Sequence, residues 1–224
     1  ASALTPAGLT SGLITHLPFD GSIAEITGTV TTTPSITGSS TTNALWVPGR
    51  VGSQCLYLTN TMSGNHLCQV DYSPSTAIYA LSSISATVWA MASMTGTSEG
   101  YIFNIGISGT ATGIGLIFNS NTLYVFIQTA NNTWFKVGNT SITMNIGIWY
   151  FFALVYNGSN VNLYVNGSST ASISGSATGA ISNGNMLRVG DILTTQTTMG
   201  FGGCVDDLRI YNRALSSAEI PVSY

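Results

Sequence analysis

Apolar and polar residues alternate with a period of two in many short segments of the chain, which are rich in β-branched and aromatic residues. Glycine, asparagine, serine or threonine bounds each segment, so we interpret the segments as strands joined by turns. The clearest of them span residues 83–93, 113–119, 122–128, 149–157, 160–167 and 186–191. This pattern predicts an all-β protein.

Two Asn-Gly pairs occur close together, at residues 157–158 and 166–167. The first lies between apolar strands, where Asn-Gly is the strongest short-range signal for a tight hairpin. No long stretch has helical periodicity, and only residues 216–220 resemble a single helical turn, with Ser216 or Ser217 as its cap. Because strand patterns recur without a proline-rich linker between them, we expect one sandwich domain.

Charged residues make up 6% of the chain, against roughly 25% in ordinary soluble proteins. The surface must therefore consist largely of hydroxyl and amide groups. The formal net charge is -3 and Lys136 is the only lysine, so the chain lacks the basic residues that neutralise the phosphates of a nucleic acid. No apolar stretch reaches the roughly 18 residues that span a bilayer, and membrane insertion is not expected either.

The three cysteines are Cys55, Cys68 and Cys204, which allow one internal disulfide at most. Cys55 lies in the apolar run QCLYL, where the sequence favours a buried free thiol over a bridge.

Four stretches, taken in order, resemble laminin G-like domains of the concanavalin A-like lectin and glucanase superfamily. LITHLPFDGSIAEITG (13–28) resembles their opening strand, and PGRVGSQCLYL (48–58) resembles their Gly-Arg-x-Gly entry to a core strand. WYFFALVYNGSNVNLYVNG (149–167) resembles their paired central strands. GGCVDDLRIYNRALSSAEI (202–220) resembles their closing stretch and is the most specific of the four.

The resemblance implies a two-sheet antiparallel β-sandwich, a jelly roll of about a dozen strands whose first and last strands pair, so that the termini are adjacent. We predict an N-terminal arm at residues 1–7, a single laminin G-like domain at 8–220 and a C-terminal tail at 221–224.

The closing stretch contains two adjacent aspartates, Asp206 and Asp207, whose side chains would point to opposite faces of an extended strand. Many members of the resembled family hold calcium near the joined chain ends, and the resemblance nominates Asp20 with Asp206 or Asp207 as ligands of a structural calcium ion. The alternative is that the aspartate pair forms salt bridges without a metal. The available partners are Arg50, Arg209 and Arg213.

Catalysis is not expected from this sequence. The related glucanases place two carboxylates on one face of a strand, about 5 Å apart in a retaining enzyme, whereas no two of the eight acidic residues occupy such positions here. His16 and His66 are isolated from other chemistry-bearing motifs, and a lone histidine is more often a hydrogen-bonded structural residue.

The resemblance favours a non-catalytic module for glycan binding or adhesion, secreted or on a virion surface. A sugar site needs an exposed aromatic ring that stacks on the sugar, together with amide, carboxylate or backbone groups for its hydroxyls. Trp89 and Trp149 lie in strongly apolar strands and are expected in the core, and packing against a strand is the alternative for Trp134 as well. The candidate ligand-binding residues are Trp134, Asn131, Asn132, Lys136 and Trp46.

A structural subunit of a virion surface, fibre or extracellular filament is the alternative function. The runs at 27–43 and 192–203 are rich in threonine, serine, asparagine or glycine and contain no charged residue, and such faces can pack repeatedly without desolvating charges. Strand edges that lack lysine also favour self-association.

Four Asn-x-Ser/Thr sequences occur, and in a secreted eukaryotic protein they would be candidates for glycosylation. Two of them coincide with the Asn-Gly turns, which need these residues for backbone reasons. The acceptors are Asn131, Asn139, Asn157 and Asn166.

Overall fold

The computed structural model describes residues 9–27, 35–37, 44–60, 69–73, 78, 80–94, 99–106, 113–131, 135–168, 172–181, 186–191 and 200–220. Within these ranges fifteen strands form two antiparallel sheets, which confirms the predicted all-β sandwich. No helix in these ranges is both long enough and apolar enough to cross a membrane. The predicted arm at 1–7 and tail at 221–224 lie outside the described residues.

Sheet I contains eight strands. They are β1 (Leu13–Leu17), β3 (Ala44–Pro48), β4 (Gln54–Thr59), β6 (Ile84–Ala92), β11 (Tyr150–Tyr156), β12 (Asn160–Val165), β13 (Ile173–Ser176) and β15 (Gly202–Tyr211). Their order across the sheet is β13-β12-β11-β6-β15-β4-β3, with β1 paired to β15.

Sheet II contains seven strands. They are β2 (Ser35–Thr37), β5 (Gln69–Tyr72), β7 (Gly100–Gly106), β8 (Ile114–Asn119), β9 (Thr122–Ile127), β10 (Phe135–Thr143) and β14 (Met186–Val189). Their order is β10-β9-β8-β7-β14-β5-β2. The structure has more strands than the dozen expected, because short strands such as β2 and β13 show too little alternation to be recognised.

The main core lies between the sheets, because alternate residues of each strand point to the same face. Leu56, Val88 and Leu154 of sheet I are buried in the same cluster as Leu116 and Val125 of sheet II. A second, smaller apolar cluster lies on the outer face of sheet I and includes Trp89, Phe151, Tyr211, Leu215 and Ile220. The chain after β15 therefore packs back across sheet I.

The predicted pairing of the first and last strands is confirmed, with His16 opposite Arg209 and Leu17 opposite Leu208. The predicted hairpin between β11 and β12 is also present. Asn157 Oδ1 accepts hydrogen bonds from the backbone N–H groups of Ser159 and Asn160, at 3.0 and 2.8 Å.

Candidate functional site

Two carboxylates hold the loop at 48–53, which enters β4. Asp206 Oδ2, from β15, accepts hydrogen bonds from the backbone N–H groups of Arg50 and Val51 at 2.8 and 2.9 Å. Asp20 Oδ1, from the segment after β1, accepts hydrogen bonds from the N–H groups of Ser53 and Gln54 at 3.0 and 2.9 Å. The loop is therefore fixed between groups that come from the two ends of the chain.

Two glycines make room for these carboxylates. A Cβ atom at Gly49 would lie 2.8 Å from Asp206 Oδ2 and would also overlap the carbonyl oxygen of Gln54. A Cβ atom at Gly52, where φ is +68°, would lie 2.7 Å from Asp20 Oδ2. The Gly-Arg-x-Gly sequence therefore needs glycine at both positions, because both carboxylates approach the loop backbone too closely for a side chain.

Asp206 and Asp207 have different partners because β15 bulges between them and Arg209. The register of β15 against β6 shifts between Asp206 and Arg209, and Asp207 adopts a φ of 47°. Asp207 Oδ1 lies 2.6 Å from His16 Nε2, and Asp207 Oδ2 lies 3.1 Å from Arg209 Nη2. Of the ionic alternatives considered from the sequence, the structure forms the Asp207–Arg209 pair.

The other two arginines near this region have different partners. The Arg50 guanidinium lies 4.6 Å from the centre of the Trp89 ring, a distance that allows a cation–π contact. Arg213 pairs with Glu219 at 2.6 Å.

The local environments shift the pKa values of the two adjacent aspartates in opposite directions. Burial raises the pKa of Asp206 to about 6 and outweighs its two backbone hydrogen bonds. Burial also acts to raise the pKa of Asp207, but the hydrogen bond to His16 and the charge of Arg209 together lower it below its ordinary value. Asp206 Oδ1 is buried and has no hydrogen-bond partner.

The three aspartates nominated for calcium have other partners in this structure. Asp206 Oδ2 and Asp20 Oδ1 are occupied by N–H donors, and Asp207 by His16 and Arg209, whereas calcium requires six to eight oxygen ligands. Across the described ranges, no three His, Cys, Asp or Glu side chains form a group that could hold a metal. Calcium stays a prediction of the family resemblance.

Cys55 and Cys204 are free, buried thiols, which confirms the expectation for Cys55. The Cys55 Sγ donates to the backbone carbonyl oxygen of Pro48 at 3.7 Å, and the neighbouring Cys204 thiol together with burial raises the pKa of the Cys55 thiol. Cys68 lies outside the described residues.

The structure does not bring the described glycan-binding candidates together. Trp46 lies in β3, at one edge of sheet I, and packs partly buried against the main core. Asn131 is exposed and lies near Gly179, just after β13 at the opposite edge. Asn132 and Trp134 lie outside the described residues, and Lys136 is placed in β10, opposite Phe126.

Trp89 and Trp149 pack in the outer cluster of sheet I, as expected for core residues. The possible glycosylation acceptors Asn131, Asn157 and Asn166 are exposed. Asn139 lies in β10, and its side chain is outside what the structure describes.

Sequence reasoning missed a row of residues across sheet II that begins with three polar side chains. Asp71, Arg188, Asn104, Gly115 and Phe126 are directly opposite one another on five successive strands. Residues directly opposite in antiparallel strands point to the same face, so these five positions share the outer face of sheet II. We call them the sheet II row.

An ion pair lies at the start of this row. Arg188 Nε donates to Asp71 Oδ1 at 3.0 Å, and Gln69 Nε2 donates to both oxygens of Asp71 at 2.8 and 2.9 Å. Arg188 is only 1% exposed. A sequence signal existed, since each of the short apolar strands QVDY and MLRV contains one charged residue. Only the sheet order shows that these charges meet.

An apolar cluster lies on the same side of sheet II. Tyr101, Ile117 and Phe126 are buried together, and the partly buried Tyr124 packs against them. The outer face of sheet II thus combines aromatic rings with hydrogen-bonding side chains.

A family model described as the concanavalin A-like lectin/glucanases superfamily matches residues 63–221. The chain belongs to this superfamily. The family resemblance seen in the sequence is thereby confirmed. No curated protein matches the chain.

Solved structures with this fold include domain 4 of AbnA, a GH43 extracellular arabinanase from Geobacillus stearothermophilus, in complex with arabinotriose. It is 18% identical, with a TM-score of 0.64, over 94% of this chain and 97% of that domain. The binding domain of Paraclostridial Mosquitocidal Protein 1 is 17% identical, with a TM-score of 0.72, over 95% of this chain and 51% of its own.

The binding domain of botulinum neurotoxin serotype G is 15% identical, with a TM-score of 0.70, over 95% of this chain and 50% of its own. This superfamily member thus spans about half the length of the two toxin domains. At these identities the likeness shows a shared fold.

Proposed function

We propose that this protein is a non-catalytic module for glycan binding or adhesion that acts outside the cell or on a particle surface. The observation that supports it is the match to the concanavalin A-like lectin/glucanases superfamily over residues 63–221. The similar arabinanase domain was solved with arabinotriose, and a similar botulinum neurotoxin domain with SialylT.

The contacts of the described carboxylates support a non-catalytic role. Asp71 pairs with Arg188, and Glu219 pairs with Arg213. Asp20 and Asp206 hold a backbone loop. These contacts have structural roles, and we propose no reaction for these groups.

Self-association as a structural subunit is a second candidate function. Strand β3 forms an edge of sheet I, has no charged residue and exposes 44% of Leu45. An uncharged edge strand with an exposed apolar side chain favours pairing with another chain.

Two measurements test both candidate functions. A glycan array, run with calcium and again with excess chelator, measures glycan binding, and light scattering measures the assembly state of the same protein. Specific binding by a monomer is the result expected for a glycan-binding module. Binding that the chelator abolishes would support the calcium prediction and make Asp20, Asp206 and Asp207 the residues to mutate. A defined oligomer that binds no glycan would overturn the first proposal and support a structural subunit.

A further inference from the structure

We propose that Cys55, Cys204 and Met91 form a binding site for a soft monovalent metal ion, copper(I). The three sulfur atoms belong to three consecutive strands of sheet I, which are β4, β15 and β6. The site does not depend on the proposed glycan binding, so either proposal can fail without the other.

The strand register places the three side chains on one face of sheet I. Cys204 is directly opposite Met91 of β6 and Tyr57 of β4, and residues directly opposite in antiparallel strands point to the same face. Cys55 lies two positions before Tyr57 in β4, so it points to that face as well. The face is the outer one, because Met91 lies two positions after Trp89 of the outer cluster.

The separation of the two cysteines suits a bridging ion better than a disulfide. Cys55 and Cys204 are diagonal neighbours, and diagonal residues of an antiparallel pair have Cα atoms about 7–8 Å apart. A disulfide usually requires Cα atoms no more than about 6.8 Å apart. An ion with metal–sulfur bonds of about 2.3 Å, the length of a zinc–thiolate bond, holds two sulfur atoms about 4.5 Å apart. The two thiols are neighbours, and they are not bridged.

Met91 supplies the third sulfur atom. Directly opposite residues have Cβ atoms about 4.5–5.5 Å apart, so the thioether of Met91 can reach the Cys204 thiol. The methionine side chain is unbranched and has three rotatable bonds, which lets its sulfur adapt to a ligand position.

The ligand set selects the metal. Thiolate and thioether sulfur atoms favour copper(I), whereas carboxylates, carbonyl groups and water favour calcium or magnesium. A structural zinc site almost always has four tetrahedral ligands. Within the described ranges no third His, Cys, Asp or Glu side chain joins the two thiols, so zinc would lack ligands here. Copper(I) accepts a low coordination number, and two thiolates with one thioether suffice for it.

The thiols are covered by described side chains, two of which are partly exposed. Cys55 and Cys204 are 0% and 1% exposed. Met91 and Tyr57 flank Cys204 on its two sides, and both are partly exposed. Met91 therefore connects the thiols with solvent. An ion that first binds the thioether reaches the thiols when this flexible side chain rotates.

Binding exchanges the two thiol protons for the metal ion. Cys55 Sγ now donates to the backbone carbonyl oxygen of Pro48 at 3.7 Å, and that proton is released. One copper(I) ion forms bonds to both thiolates, both protons pass to solvent, and neither copper nor sulfur changes its oxidation state. The complex has one net negative charge. The Asp206 carboxylate and the Arg50 guanidinium, which lie on the same face, have opposite charges.

The experiment titrates copper(I) into the full chain without oxygen, in competition with bicinchoninate, a chelator whose copper(I) complex is coloured. Zinc and calcium ions are titrated separately. The variants are Cys204→Ser and Met91→Leu, with Met94→Leu as the matched control for methionine and Cys68→Ser as the control for the third cysteine. Met94 is also partly buried, but it packs against the main core. Thermal unfolding checks that each variant is folded.

We expect wild type to bind one copper(I) ion. Cys204→Ser should weaken binding about a hundredfold or more and Met91→Leu about tenfold, because a thiolate is a charged ligand and a thioether a neutral one. Met94→Leu and Cys68→Ser should bind as wild type does. X-ray absorption of the wild-type copper complex should show only sulfur neighbours, and this measurement decides the site if Cys204→Ser does not fold.

Several results would overturn the proposal. Wild type that binds no copper(I), or Cys204→Ser that binds it equally well, would show that the site does not exist. Equal affinities of Met91→Leu and Met94→Leu would remove the thioether from the site. Oxygen or nitrogen neighbours in the absorption spectrum, or tighter binding of zinc, would overturn the inferred ion. A disulfide between Cys55 and Cys204, found by mass spectrometry of protein purified in air, would contradict the bridging geometry.

Discussion

His16 Nε2 and Asp207 Oδ1 lie 2.6 Å apart, although 191 positions separate the two residues in the sequence. The contact joins β1 to β15, and Arg209 binds the same carboxylate. The first and last strands are therefore joined by the side-chain contacts of the Asp207 carboxylate as well as by the backbone hydrogen bonds between β1 and β15.

Replacing Asp207 with asparagine should lower the free energy of unfolding by about 2 kcal/mol, because hydrogen bonds to a charged group are lost. Asparagine tolerates the positive φ of 47° at this position, so the variant tests the charge and not the backbone. Urea denaturation measures the loss. The control is Glu219→Gln, whose pair with Arg213 is 28–29% exposed and should contribute less than about 1 kcal/mol. Equal losses in both variants would contradict the role given to Asp207.

The stability of the protein should depend on the ionisation of Asp206. Its folded pKa of about 6 is above the unfolded value, so the folded state binds this proton more tightly. The resulting contribution to stability is complete below about pH 4 and is lost as the pH rises through about 6. Between pH 4 and pH 7, wild type should lose about 2 kcal/mol relative to Asp206→Asn, measured by urea denaturation at each pH.

Asp20→Asn provides a control with the opposite sign. Hydrogen bonds from Ser53 and Gln54 lower the pKa of Asp20, so this group stabilises the protein above the unfolded pKa and loses that effect as the pH falls. A difference between wild type and Asp206→Asn that does not vary with pH would show that burial does not perturb Asp206.

Gly49→Ala should destabilise the protein by more than about 2 kcal/mol, because its Cβ would overlap the Gln54 carbonyl and approach Asp206 Oδ2 to 2.8 Å. Gly147→Ala is the matched control. Its φ of +75° strains any other residue, but nothing lies within 4 Å of the added Cβ, so the cost should be about 1 kcal/mol. Thermal unfolding compares the loss of stability in the two variants. A smaller loss for Gly49→Ala than for Gly147→Ala would mean that the loop at 48–53 is not tightly held.

Arg188→Met should destabilise the protein by about 3–5 kcal/mol, because Asp71 would remain buried without its cationic partner. The double variant Asp71→Asn/Arg188→Met should recover part of this loss, since the uncompensated charge is gone. Arg213→Met, at a more exposed ion pair, serves as the control and should cost less than about 1 kcal/mol. If Arg188→Met resembled Arg213→Met in denaturant, the sheet II ion pair would have no structural importance.

The strand pattern was predictable because each long strand has its own alternation. Residues 83–93 were expected to form a strand and Ile84–Ala92 do so, and residues 122–128 correspond to Thr122–Ile127. The hairpin at Asn157 was predictable for the same local reason, since its side chain binds the next N–H groups along the chain.

The candidate site was predictable only in part. The sequence singled out Asp20, Asp206 and Asp207, and all three lie near the closure of the chain. It did not predict the bulge that gives Asp206 and Asp207 different partners, because a bulge depends on the register against β6. Nor could it show that Trp46 lies in the strand at one edge of sheet I while Asn131 lies near Gly179, just beyond the strand at the other edge, since strand order is not encoded in local alternation.

The sequence by itself determined the fold class, the turns and the scarcity of charge, because these follow from residue type and from neighbours a few positions apart. Only the tertiary structure decided which charges meet. Asp71 and Arg188 are 117 residues apart in sequence and become partners because β14 lies beside β5. A buried charge needs a partner, and the sheet topology determines which partner is within reach.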